Sequence, residues 1–124
     1  MILDTCALLW LASGDKKLSR SALKEINEAS AVYVSAISGF EIAIKVARGK
    51  LKLPSPPQEW FEKIVEHPGL AVLPLELNVC IAVQLPPIYD DPWDRFIIGA
   101  AKISDLAVVT ADERFEECSL TVLS

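Results

Sequence analysis

The chain has 124 residues, of which 52% are hydrophobic, and a mean hydropathy of +0.34. These values predict one compact domain spanning residues 1–124, and they exclude a disordered chain or an architecture as large as a TIM barrel. No apolar run approaches the ~18 residues of a membrane span, so we expect a soluble, cytoplasmic protein with no membrane contact. The net charge of -5 excludes nucleic-acid binding by overall charge alone, but leaves nucleic acid open as a substrate.

The predicted elements alternate between strands and helices along the chain. The predicted strands are Met1–Leu3, Val32–Ser35, Leu70–Leu73, Leu106–Thr110 and Leu120–Leu123. The predicted helices are Ala7–Leu11, Ser19–Ala29, a helix capped by Ser38 and ended by Gly49, Gln58–Glu66, Glu76–Leu85, a helix from Asp91-Pro92 to about Ser104, and a short turn at Glu113–Cys118. This alternation predicts an α/β fold: a three-layer α/β/α sandwich with a central, mainly parallel sheet.

Two acidic residues directly follow predicted strands. Asp4 ends the first strand, and Asp112 follows the strand that contains Val108 and Val109. Ligand sites of parallel sheets lie at the carboxyl ends of the strands. Either acid could instead cap the helix that follows it.

Glu41 has three possible uses. It stands three residues after Ser38, which is the spacing of a capping box, and four residues before Lys45, which is the spacing of a helical ion pair. It also follows a strand closely enough to lie near the sheet edge where Asp4 is expected.

Asp94 lies in the first turn of the clearest predicted helix. Ile97, Ile98 and Ala101 follow it at helical spacing, so its side chain shares an otherwise apolar face. A carboxylate there needs a positive partner, unless it serves only the first turn of the helix. Asp91, which precedes Pro92, is best explained as the N-cap of the same helix.

The four acids form a stronger signal together than separately. Parallel strands would gather Asp4, Glu41, Asp94 and Asp112 at one edge, where their mutual repulsion needs a compensating cation. Since the set contains neither thiolate nor imidazole, it favours Mg2+ or Mn2+, which can also support hydrolysis of a phosphodiester.

The motifs resemble the PIN domain family and, within it, the VapC-type toxins of toxin-antitoxin pairs. The resemblance covers nearly the whole chain through four blocks in order. They are Leu3-Asp4-Thr5 with Ala7-Leu8-Leu9-Trp10; Ser35 to Lys45 with Gly49-Lys50-Leu51; Asp91-Pro92-Trp93-Asp94-Arg95; and Thr110-Ala111-Asp112-Glu113-Arg114-Phe115. The chain departs from the family at Cys6, where relatives often carry histidine, and at Tyr89-Asp90.

The resemblance implies a PIN-like fold and a Mg2+- or Mn2+-dependent endoribonuclease that leaves a 5'-phosphate. Asp4, Asp94 and Asp112 would hold the metal, and Glu41 would position or deprotonate the attacking water. The supporting residues would be Thr5, Thr110 and Asp91. The family also implies a homodimer and a small antitoxin that covers the site.

An acidic nuclease must hold RNA through its metal and a few cations. The candidates are Lys45, Arg48, Lys50, Lys52, Arg95 and Arg114, with Lys45 and Arg95 favoured because they follow site acids closely. Two apolar clusters, Leu8–Leu11 and Trp60-Phe61, exceed what a small core is expected to hide, which predicts dimer and antitoxin surfaces.

Two other function classes remain open from the residues alone. A phosphoacceptor receiver domain has similar length and layering, but it requires an acid pair after the first strand and a lysine after the last strands. Here Thr5 follows Asp4, and no lysine lies beyond Lys102. A non-catalytic acidic interaction module would need no metal and would tolerate the loss of any one acid.

Overall fold

The computed structural model of the chain describes residues 1–81, 92–111 and 122–123. The strands are β1 (Ile2–Leu3), β2 (Val32–Ser35), β3 (Leu70–Leu73), β4 (Val108–Val109) and β5 (Val122–Leu123). The helices are α1 (Thr5–Ser13), α2 (Arg20–Glu28), α3 (Ala36–Ala47), α4 (Pro57–Val65), α5 (Leu77–Ile81) and α6 (Pro92–Ser104). None of these helices combines the length and the apolar character that crossing a membrane requires. The predicted helical turn Glu113–Cys118 lies outside the described residues.

The five strands form one parallel sheet in the order β3-β2-β1-β4-β5. Ile2 of β1 lies opposite both Tyr33 and Val108, so β1 occupies the centre of the sheet. The predicted parallel sheet is confirmed. The strand order places the carboxyl ends of β1, β2 and β4 side by side at one edge of the sheet, and the candidate site lies at this edge.

Apolar side chains on both faces of the sheet form two core clusters. Ile2 packs with α5 and α6 on one face, whereas the next residue, Leu3, packs with α1, α2 and α4 on the other. This alternation follows from the two-residue period of a strand. Helix α3 contributes Ile37 to the first cluster and Ile42 to the second. The fold is therefore the predicted three-layer sandwich.

The prediction that Leu8 and Trp60 form exposed apolar surfaces is wrong. Leu8 is 1% exposed and Trp60 is 7% exposed, and both belong to the core cluster on the Leu3 face. The reason is that α1 and α4 pack on the same face of the sheet, so this core takes up Leu8 and Trp60. Large exposed apolar side chains occur elsewhere: Leu23, Phe40, Val65, Val72, Leu75, Leu77 and Ile103.

Candidate active site at the carboxyl edge of the sheet

The buried polar residues gather near the carboxyl ends of the strands. Within the described ranges they are Asp4, Thr5, Ser35, Ser38, Glu41 and Thr110. Asp4 and Thr110 directly follow β1 and β4, and Ser35 is the last residue of β2. Burying polar groups is unfavourable unless they are hydrogen-bonded, so their concentration at one edge marks it as the candidate site.

Asp4 is the N-cap of α1 as well as the residue at the end of β1. Its Oδ1 accepts a hydrogen bond from the Ala7 backbone N–H at 2.7 Å, and its own N–H donates to the Val109 carbonyl at 3.1 Å. The side chain is 7% exposed. The capping role and the position at the sheet edge therefore coexist.

Glu41 is buried on α3 with both carboxylate oxygens engaged. The Thr5 hydroxyl donates to Oε1 at 2.8 Å, and the Lys45 ammonium donates to Oε2 at 2.6 Å. The ion pair predicted from the four-residue spacing is confirmed. Thr5 and Lys45 approach the carboxylate from different helices, so they restrict its orientation.

The prediction that Ser38 caps α3 is wrong, and the alternative of a capping box with Glu41 is therefore excluded. Helix α3 starts at Ala36, and Ser35 is its N-cap, with the Ser35 hydroxyl accepting from the Ile37 N–H at 3.2 Å. The helix follows β2 without an intervening loop. Ser38 therefore lies inside the first turn rather than before it.

Ser38 instead belongs to a hydrogen-bonded chain that ends on Glu41. It is 0% exposed, and its Oγ lies 2.9 Å from Thr5 Oγ1. Since the single hydroxyl proton of Thr5 is donated to Glu41, the proton between the two hydroxyls comes from Ser38. This contact was not predicted from the sequence. A partial signal was the three-residue spacing of Ser38 and Glu41, which places both on one helix face but does not indicate Thr5.

Asp94 lies in the first turn of α6, at the head of a buried face. Ile97, Ile98 and Ala101 are 0%, 0% and 1% exposed, as the helical spacing predicted. Asp94 itself is half-buried, and so is the neighbouring Arg95. The predicted site residues Asp91 and Asp112 lie outside the described residues.

The pKa of the Cys6 thiol is affected by three acidic residues from different parts of the chain, so it describes the electrostatics of the site. Cys6 is exposed, but the protein atoms around its thiol exclude part of the solvent, which raises its pKa above the ordinary value, and the negative charge of Asp4 raises it further. Lys45 lowers this pKa, whereas Glu41 and Asp94 raise it. Asp4, Glu41 and Asp94 therefore lie within electrostatic range of the same thiol.

The donor chemistry of this site fits a hard divalent cation. Carboxylate oxygens are the ligands that Mg2+ prefers, and three carboxylates exceed the charge of Lys45. Within residues 1–81, 92–111 and 122–123, no group of three or more His, Cys, Asp or Glu side chains lies close enough to hold an ion by itself. A complete ligand set would thus need a further donor, and the predicted one is Asp112.

The fold and the acidic edge are those of a PIN domain. The PIN domain family model matches residues 1–119, and the chain belongs to this family. Ribonuclease VapC22 from Mycobacterium tuberculosis is 30% identical over 115 residues, which cover 92% of this chain and 88% of that relative.

Solved structures share the fold, and one of them is a toxin-antitoxin complex from Klebsiella pneumoniae, with a TM-score of 0.66 at 16% identity and with 99% of this chain and 95% of that chain covered. VapBC2 from Rickettsia felis, bound to a DNA fragment from its promoter, gives a TM-score of 0.72 at 14% identity and covers 98% of this chain and 96% of that chain. DNA-bound VapBC from Salmonella typhimurium gives 0.71 at 21% identity, with 98% and 95% covered. FitAcB from Neisseria gonorrhoeae gives 0.68 at 21% identity, with 99% and 96% covered.

Proposed function

We propose that the chain is a divalent-metal-dependent endoribonuclease that acts in the cytoplasm as the toxin of a toxin-antitoxin pair. The observation that carries the proposal is the burial of Asp4 and Glu41, the latter hydrogen-bonded by Thr5, at the carboxyl edge of a PIN-domain sheet. The similarity to Ribonuclease VapC22 supports RNA as the substrate. One nuclease domain spanning residues 1–124 contains the whole site.

Asp4 and Asp94, completed by Asp112, would hold Mg2+ or Mn2+. When bound, such an ion supplies Lewis-acid stabilisation of the phosphodiester oxygens and a more acidic water. Asp4 is suited to this task because the α1 cap fixes its carboxylate. Thr110 and Asp91 are proposed as supporting residues, Thr110 because it is buried directly after β4.

Glu41 is proposed to orient the attacking water rather than to bind the ion. A carboxylate offers about four acceptor positions. Thr5 and Lys45 each occupy one of those on Glu41 and prevent the group from rotating. The remaining positions can accept from a water beside the scissile phosphate. Arg95, one residue from Asp94, is proposed to contact the RNA backbone.

Two protein partners complete the proposal. The structures of toxin-antitoxin complexes that share this fold support a small cognate antitoxin that covers the site. We also propose a homodimer. The exposed apolar side chains, such as Leu77 at 74% exposed, are candidates for these interfaces, whereas Leu8 and Trp60 are not.

The sheet order disfavours the alternative of a phosphoacceptor receiver domain. Receiver-like sheets have the order 2-1-3-4-5, whereas the strands here run β3-β2-β1-β4-β5. The family match excludes this alternative independently. An acidic interaction module differs from a nuclease in needing no metal, which the following experiment tests.

The test is RNA cleavage by purified protein stripped of antitoxin and of divalent ions. Mn2+ or Mg2+ is expected to restore cleavage with 5'-phosphate ends, and Asp94→Asn should abolish both cleavage and calorimetric Mn2+ binding. The matched control is Asp105→Asn, because Asp105 is exposed directly after the same helix. Absence of cleavage by the wild type, or equal cleavage by the wild type and Asp94→Asn, would refute the enzymatic proposal.

A further inference from the structure

Three exposed cations lie just beyond the catalytic part of α3. We name Arg48, Lys50 and Lys52 the basic segment; all three are exposed. The chain contains no Asp or Glu from position 42 to position 58, although its net charge is -5. The positive charge of this segment is therefore not compensated locally.

The way α3 ends connects the basic segment to the site. Gly49 adopts φ +71°, the left-handed conformation that closes many helices, and the Lys50 N–H donates to the Lys45 carbonyl at 2.8 Å. Arg48 follows Glu41 by about two helical turns, or roughly 10 Å along the axis. The basic segment thus starts beside the lysine whose ammonium group binds Glu41.

Residues beyond Gly49 present their lysines to solvent on one side. Leu51 and Leu53 are half-buried against the core cluster that contains Leu3, whereas Lys50, which precedes Leu51, and Lys52, between the two leucines, are exposed. Burial therefore alternates with a two-residue period over residues 50–53. Because packing against the core restrains Leu51 and Leu53, the backbone that carries Lys50 and Lys52 is also restrained. These lysines would therefore lose little mobility on binding a ligand.

Lys45 is a poorer candidate for RNA binding than the sequence suggested. Its ammonium group is bonded to Glu41 at 2.6 Å. Within the described part of the chain, by contrast, no carboxylate forms an ion pair with Arg48, Lys50 or Lys52. These three cations are therefore available to an external polyanion.

We propose that the basic segment binds the RNA backbone on one side of the cleavage site and is the main electrostatic contact of the substrate. This inference rests on the proposed function, because it extends the same site along the RNA. Phosphate contacts of this kind position the substrate and carry no base preference. They also make binding dependent on salt.

The test compares two triple variants with the same change in charge. Arg48→Gln, Lys50→Gln and Lys52→Gln are combined in one, and Lys24→Gln, Lys63→Gln and Lys102→Gln in the control, whose lysines are exposed on three other helices. Both are made in an Asp94→Asn background to prevent cleavage. Binding of a fluorescent single-stranded oligoribonucleotide is measured by anisotropy across a salt series.

The basic-segment variant should bind more weakly, and the slope of log affinity against log salt should fall by about 0.7 for each lost phosphate contact, or about 2 in total. In the active protein, the same triple change should raise KM and leave kcat unchanged. Equal slopes for the two triple variants would overturn the inference. So would an unchanged slope combined with lost antitoxin binding or dimerisation, which would make the segment a protein interface.

The two proposals fail in different ways. If the wild type cleaves RNA while the slopes stay equal, the proposed function stands and the basic segment has no part in it. If the wild type neither binds nor cleaves RNA with Mn2+, the proposed function itself fails.

A second inference comes from the hydrogen-bonded chain at Glu41. Ser38 donates to Thr5 and Thr5 donates to Glu41, with Ser38 fully buried. The geometry points to Ser38 as a positioning residue: it fixes the Thr5 hydroxyl, and Thr5 fixes the carboxylate. This inference also rests on the proposed function.

The test is a kinetic cycle with Ser38→Ala, Thr5→Val and the double variant. Ser38→Ala is expected to lower kcat roughly ten-fold to a hundred-fold with KM unchanged. The double variant should be no slower than Thr5→Val, because Ser38 acts only through Thr5. If the fold-decrease in kcat of the double variant equalled the product of the two single decreases, Ser38 would not act through Thr5.

Ser19→Ala is the matched control for a purely structural serine. It removes the side-chain cap of α2, where the Ser19 hydroxyl accepts from the Ala22 N–H at 3.0 Å, and should lower the melting temperature without a change in kcat. If Ser19→Ala and Ser38→Ala lower kcat equally, Ser38 has no positioning role.

Discussion

The two ends of the central sheet bury different kinds of side chain. At the carboxyl end, Asp4, Ser38 and Glu41 are buried with hydrogen bonds. Near the amino ends of β2 and β3 lies a cavity of about 310 Å3, to which Ile26 and Leu70 contribute apolar walls. The comparison predicts that apolar packing at the amino end serves stability, whereas the hydrogen-bonded acids at the carboxyl end serve the chemistry. Predictions that separate stability from activity test this division.

The largest effect is expected at the carboxyl end, for Glu41→Gln. The amide leaves the shape of the site intact but removes the negative charge that we propose orients water, so RNA cleavage should fall by about 10²–10⁴-fold. Glu25→Gln is the matched control, because Glu25 is exposed on α2. Single-turnover cleavage measures both variants. Equal activity of Glu41→Gln and the wild type would remove Glu41 from the mechanism.

Ile26→Ala should have the opposite profile at the other end. Ile26 is 8% exposed and lines the cavity, so its truncation should lower the free energy of unfolding by about 2–5 kcal/mol. The cleavage rate per folded molecule should not change. Urea denaturation and kinetics measured together check this, with Leu23→Ala, exposed on the same helix, expected to remain within about 0.5 kcal/mol of the wild type. If Ile26→Ala also lowered the cleavage rate per folded molecule, the amino end of the sheet would contribute to activity as well as to stability.

Lys45→Met tests both ends of the comparison, because it should lower the free energy of unfolding and also the rate of RNA cleavage. The substitution keeps most of the side-chain stem but leaves the buried Glu41 carboxylate without its cation. We expect a loss of about 1.5–3 kcal/mol in the free energy of unfolding, together with slower cleavage. Restored stability in the double variant Lys45→Met with Glu41→Gln would attribute the loss to the unpaired charge. An unchanged melting temperature for Lys45→Met would show that the ion pair is not stabilising.

The smallest predicted effect concerns the reactivity of Cys6. Because burial and the neighbouring acids raise the pKa of Cys6, less of the thiol is ionised at a given pH, and alkylation by iodoacetamide should be slower than in the unfolded chain. Asp94→Asn should lower this pKa and speed alkylation at any pH below it. Mass spectrometry in a background of Cys80→Ser and Cys118→Ser measures the rate. No change in Asp94→Asn would place Asp94 away from Cys6.

The fold could be predicted from the sequence because its signals are local. The strands Val32–Ser35 and Leu70–Leu73 have the predicted bounds, since short apolar runs between helical segments are typical of parallel strands. The buried face of α6 at Ile97 and Ile98 followed from helical spacing alone. Pairing order did not follow, because it depends on contacts between residues far apart in the chain.

The site was predicted less completely, for physical reasons. The ion pair of Glu41 with Lys45 lies within one helix, so spacing was sufficient to find it. The bond from Ser38 to Thr5 crosses between α3 and α1, which no local pattern encodes. Trp60 shows a similar limit, since hydrophobicity gives a preference for burial but not the choice between a core and an interface.

The central position of β1 has a consequence for synthesis of the chain on the ribosome. Ile2 and Leu3 are translated long before Val108 and Val109, the residues with which they pair in the sheet. The Asp4 N–H likewise has no Val109 carbonyl to bind until Val109 has been added. A nascent polypeptide therefore cannot assemble the pairing that fixes Asp4 at the carboxyl edge before Val109 has left the ribosome.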